Sequence, residues 1–362
     1  MIKIFNEICL KKTHLMLLSI LLITTLTISM ISDVSAADIT ISPTTSGGLK
    51  QAIETAKSGD TIYLKNGVYS GENNTNITIN KNITIKGLGS QVILDGNNKA
   101  QFLQIKKVKV SLNNLKFING QNRINTTDYA GDEIQIGDGG AILSSGYLTI
   151  NKCTFTNNKA VFSGGAIYSS RSLNITNSIF INNKAVAGGA IESQGILSIS
   201  KSNFTKNNGT YGGTICSKGI LSISKSNFTK NSAGWGGVID SSGKLTVNGC
   251  TLNNNIVEYS GGAIFSDGIL TMSKSILNNN KAKWGGAIYF INSSTVKNST
   301  FKNNKASSSG GAILSAGTLK ITNTNLKNNI AGKKYNAISK DSGKITKKNV
   351  IITPKDGTKV KK

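Results

Sequence analysis

Along most of the chain apolar and polar residues alternate in short runs, and each run is closed by Gly, Asn or Ser. Alternation with a period of two predicts strands, and the closing residues predict turns. The runs are themselves periodic. Gly-Gly pairs begin at Gly139, Gly164, Gly188, Gly212, Gly236, Gly261, Gly285 and Gly310, always 24 or 25 residues apart, and the segment Gly195 to Asn207 recurs letter for letter from Gly219 to Asn231. Within a unit the order is Gly-Gly-Ala-Ile, a turn, a Leu-x-Ile pair, Ser-x-Phe or Ser-x-Leu, and Asn. A helix of ten residues does not fit. Three short strands per unit, each pairing in parallel with its copy one coil later, predict an all-β solenoid.

Equivalent positions of stacked coils should repeat about 4.8 Å apart. Ile142, Ile167, Ile191, Ile215, Ile239, Ile264, Ile288 and Ile313 form one column, and Phe155, Phe180, Phe204, Phe228, Leu252, Leu277, Phe301 and Leu326 form a second. Both read as core. The Asn three residues after each member of the second column, from Asn158 to Asn329, predicts a ladder of stacked side-chain amides. The Gly pairs are expected where a Cβ would clash.

The ends depart from the repeat. Lys3, Lys11 and Lys12 precede an apolar run from Leu15 to Ile31 that ends in Val34-Ser35-Ala36-Ala37, so residues 1–36 read as a secretory signal peptide. Left uncleaved, it would be the one segment able to touch a membrane. Residues 37–58 form an N-terminal cap, with a short amphipathic helix from Leu49 to Ala56 over the first coil. Residues 59–138 are irregular coils with a projecting loop at 119–138, residues 139–345 are the tandem repeats, and 346–362 are a basic tail. About twelve coils result.

Composition narrows the chemistry. The formal charge is +25, and removing residues 1–36 subtracts three lysines and two acids to leave +24. Such a field favours anionic partners. The lysines are scattered through the coils, which fits a solvated exterior or an anionic envelope polymer better than nucleic acid. His14 is the single histidine and lies in the signal, so Ser-His-Asp, Cys-His and His-metal sites are excluded from the exported chain. Cys153 and Cys250 share a column otherwise held by Ser178, Ser202, Ser226, Ser275 and Ser299, four coils apart. They are too distant for a disulfide, and with Cys216 in another column three free thiols are expected. Asn-x-Ser/Thr sequons at Asn76, Asn82, Asn125, Asn203 and Asn298 are acceptors for glycosylation after export.

The pairs Gly164-Gly165-Ala166-Ile167 and Phe180-Ile181-Asn182-Asn183 carry a resemblance to the polymorphic outer membrane protein repeat, within the pectate-lyase-like superfamily. It covers roughly residues 59–340. It implies a right-handed parallel β-helix and a surface role, as in bacterial adhesins and the adhesin-like sets of methanogenic archaea, and names no ligand.

Three functions follow as expectations. The first is an exported, extracellular adhesin-like protein, not an enzyme, that binds a cell-surface glycan or protein without cofactor or metal. Its candidate ligand-binding residues are Tyr211, Trp235, Tyr259 and Trp284, at or beside the position before the Gly pair in four successive coils; the alternative is that these rings cap the core at a corner. The second is a polysaccharide lyase or hydrolase, which needs converging acids. Glu192 and Asp240 share the column after the repeated Ile, but Leu143, Tyr168, Cys216, Phe265, Tyr289 and Leu314 share it too, so it reads as a variable outer face. Asp128, Asp132, Glu133 and Asp138 in the projecting loop are a weaker cluster that could hold Ca²⁺. The third is a structural coat or spacer.

Overall fold

The computed structural model describes residues 37–127 and 133–359; the expected signal peptide, with Cys9 and His14, and the loop acids Asp128 and Asp132 lie outside them. One helix, Gly48–Thr55, buries Leu49, Ala52 and Ile53 against the first coils, and Leu49 N–H donates to Asn74 Oδ1 across 3.0 Å. Everything else regular is strand. About twelve coils stack as a parallel β-helix with three faces.

In one coil the first face is Ile191–Ser193, the second is Ile196–Ser200 followed by Asn203–Thr205, and the third is Asn208–Tyr211. The second face therefore has two strand segments where one was expected. The turn between them needs a left-handed residue, supplied by Lys201 (φ 49°), and a second left-handed residue, Lys206 (φ 56°), turns the chain toward the third face. Asn fills these corners in other coils, as at Asn177 and Asn182, because its short amide tolerates positive φ.

Registers pair like with like. Ile191 lies opposite Ile215, and Phe180 opposite Phe204. Each Ile in the first column is fully buried. The Phe rings from Phe117 to Phe228 stack with centroids 4.7–4.9 Å apart. The Asn column is a continuous ladder: Asn183 Nδ2 donates to Asn207 Oδ1 at 2.9 Å, and to the Phe155 carbonyl at 3.0 Å. A second ladder was not expected. Ser202 Oγ accepts from the Ser178 N–H and donates to the Ser200 carbonyl, so the Ser column ties coil to coil as the Asn column does.

The first Gly of each pair turns with positive φ, 59° at Gly188, where a Cβ would sit 2.1 Å from the Ile191 carbonyl oxygen. Cys153, Cys216 and Cys250 are free, the first and last buried in the Ser column. Residues Ile124–Thr127 and Glu133–Ile136 pair antiparallel as a hairpin within the long segment 119–138. At the exit Ile345–Thr353 pairs with Thr318–Lys327, and Ile351 is exposed on it.

Candidate functional site

The first-face column places Tyr168, Glu192, Cys216, Asp240 and Phe265 directly opposite one another in consecutive coils. Sequence reasoning took this column for a variable outer surface. The structure departs from that at Glu192, which is only 3 % exposed, while Tyr168, Cys216, Asp240 and Phe265 are half-buried. A buried carboxylate needs partners. Glu192 Oε1 has two, the Gln194 amide and the Lys218 ammonium at 3.4 Å, both supplied by the turns that follow first-face strands. Glu192 Oε2 is buried with no protein partner. Leaving a buried acceptor unsatisfied costs roughly 1–3 kcal/mol.

Asp240 lies two coils on, about 10 Å away at the coil spacing. Burial, with a smaller push from Asp267, raises its carboxyl to about 6. Its side chain packs into space that a Cβ on Gly236 would fill, 2.3 Å from Oδ2. Between the two acids, burial and the Asp240 and Glu192 charges push the Cys216 thiol up to about 12, so it is a spacer rather than a nucleophile. Tyr168 flanks the acids, its phenol raised by burial and then by Glu192 and Asp138. Among the described residues no group of three or more His, Cys, Asp or Glu side chains is arranged to hold a metal.

The four aromatics stand one Gly-Gly turn from this column. Tyr211 and Trp235, directly opposite each other, are 49 % and 48 % exposed, and Tyr259 and Trp284 are half-buried. None is a member of the hydrophobic core cluster. Trp235 and Tyr259 stack at 3.8 Å, and Lys283 sits 4.3 Å from the centre of the Trp284 ring. Each of those contacts covers a ring face, so the ridge presents edges as well as faces. At its C-terminal end Trp284 joins Ser260, Tyr289, Leu314, Lys340 and Asp341 around a cavity of about 360 Å³, where the ridge meets later members of the first-face column.

The family model of the Chlamydia polymorphic membrane protein repeat matches residues 152–170, 274–291 and 298–316, so the chain carries that repeat, which is consistent with a cell-surface location. No curated protein matches. Solved structures with pectate-lyase-like β-helix folds do. A mannuronic acid specific polysaccharide family 6 lyase from human gut microbiota is 12 % identical, with a TM-score of 0.49 over 86 % of this chain and 91 % of that one. The family 6 alginate lyase AlyGC is 15 % identical, TM-score 0.39, over 86 % and 53 %. The periplasmic alginate epimerase AlgG is 12 % identical, TM-score 0.33, over 86 % and 83 %. These are likenesses of fold.

The adhesin expectation gives way to its enzyme alternative: the column that was read as variable surface holds a buried, ion-paired acid, Glu192, with a second acid, Asp240, two coils further along it.

Proposed function

We propose that this chain, exported through residues 1–36, cleaves glycosidic bonds of an acidic polysaccharide along the first-face column, beside the aromatic ridge. One observation carries the reading: two acids of unlike environment stand two coils apart in the first-face column, Glu192 buried and ion-paired and Asp240 raised by burial. Asp240, raised to about 6, keeps its proton into the mildly acidic range and suits a general acid. Glu192, held by Lys218 and the Gln194 amide, is the carboxylate that takes a proton from the attacking water.

The geometry suits hydrolysis with inversion, where a water must fit between the acids and carboxyl groups about 6.5–9.5 Å apart are required. Two coil steps put the Cα atoms about 10 Å apart, at the upper edge of that range. Water oxygen bonds to the anomeric carbon as Glu192 takes a proton; the glycosidic C–O bond breaks as Asp240 delivers one to the leaving oxygen. Lys218, more than half exposed, holds Glu192 and presents positive charge to a substrate carboxylate. The ridge supplies apolar ring surface for the sugar.

The test is incubation of the exported chain with polygalacturonate, alginate and a neutral glucan. New saturated reducing ends from an acidic polymer alone support the reading. No product from any polymer, as expected of a coat or spacer protein, removes it.

A further inference from the structure

The third face carries a second feature, on the coils that lead into the ridge. Lys159 lies directly opposite Gln121 on one side and Lys184 on the other, and Lys184 lies opposite Asn208. With Arg123 these residues line a hollow of about 220 Å³, whose walls also include Asn122 and Thr210. Lysines directly opposite one another repel and destabilise a sheet. Neither these two nor Arg123 is in an ion pair; among the described residues the one salt bridge is Lys218 with Glu192. Three cations therefore converge on a concavity whose other polar groups are amides and a hydroxyl, while Val161 and the exposed Val186 give it an apolar patch.

We propose that this hollow binds the carboxylate-bearing sugars of an acidic polysaccharide, as a subsite on the third face beside the column that carries the two acids. The inference rests on the substrate class proposed above and extends it to a second surface. Guanidinium and ammonium groups pair with uronate carboxylates, the amides and Thr210 match sugar hydroxyls, and the valines meet the apolar side of a pyranose ring. Nucleic acid fits less well, because the hollow contains no aromatic ring on which a base could stack. The coil that carries Lys184 continues through Gly188-Gly189 to Glu192, so a polymer held here is anchored on the coil that carries one of the two acids.

The experiment uses the full exported chain carrying Glu192→Gln, so that binding is measured without turnover. Titration calorimetry with polygalacturonate and with alginate compares it with the same chain bearing Lys159→Ala and Lys184→Ala. The double substitution is expected to weaken binding at least tenfold and flatten its dependence on salt, with no loss of thermal stability. A control pair, Lys302→Ala with Lys327→Ala, removes the same charge from stacked lysines on the second face and is expected to leave binding unchanged. Equal weakening by both pairs, no weakening by the first, or equally tight binding of single-stranded DNA overturns the hollow. Failure of the wild-type chain to cleave any polymer, with binding that still depends on Lys159 and Lys184, overturns the cleavage reading and leaves the hollow standing.

Discussion

Asn183 and Asn207 are 24 residues apart in sequence and joined twice in space: the side-chain amide and the backbone N–H of Asn183 both donate to Asn207 Oδ1, at 2.9 and 3.0 Å. Asn207 in turn donates to the Phe180 carbonyl. Truncating it strands several buried groups at once. Asn207→Ala is expected to cost about 3–5 kcal/mol, from several unsatisfied groups at roughly 1–3 kcal/mol each. The exposed neighbour Asn208→Ala should stay within about 0.5 kcal/mol. Urea denaturation monitored by circular dichroism separates the two, and similar values would contradict the ladder's role.

The thiols give a second check. Denatured, unreduced protein without residues 1–36 should titrate with three thiols, and the native protein should react slowly. Burial raises Cys153 and Cys216 to about 12 and moves Cys250 in the same direction. A single thiol after denaturation would contradict the coil register.

The aromatic ridge and the Phe column are expected to respond differently to truncation. Phe204→Ala empties a fully buried site and should cost about 3–5 kcal/mol. Trp235→Ala removes a half-exposed ring and one stacking contact, and should cost about 1 kcal/mol. Equal losses would place Trp235 in the core.

These contrasts show what was legible beforehand. The Ile, Phe and Asn columns were readable because the same residue recurs at each 24- or 25-residue step, and only stacking explains such repetition. Glu192 was not readable in this way. It is one acid in a column that also holds Tyr168 and Phe265, and its partner Lys218 lies on the next coil, so neither its burial nor its ion pair leaves a periodic mark. The Arg123 hollow was missed because the long segment 119–138 breaks the period just where Arg123 lies. The Ser ladder was seen only as the column that held the cysteines.

Asp240 predicts a pH dependence of stability. Its folded-state value, about 6, lies above its ordinary value of 3.8, so the folded chain binds the extra proton between the two. Its contribution is fully present below about pH 4 and is lost as pH rises through about 6. The loss should be on the order of 2 kcal/mol, since each tenfold change in proton affinity is worth about 1.4 kcal/mol and partial exposure screens the effect. Asp240→Asn should remove that slope between pH 4 and 6 in a series of thermal melts; an unchanged slope would show that Asp240 is not the group responsible.

The most direct measurement is turnover of polygalacturonate and alginate by three chains side by side: wild type, Glu192→Gln and Asp240→Asn. Wild type should release saturated reducing ends with inverted anomeric configuration, at a rate that falls as pH rises past about 6 as Asp240 loses its proton. Each substitution should lower kcat by about 10²–10⁴, the usual contribution of a general acid or base. Absence of turnover by the wild-type chain, or turnover that survives both substitutions, would contradict cleavage between Glu192 and Asp240.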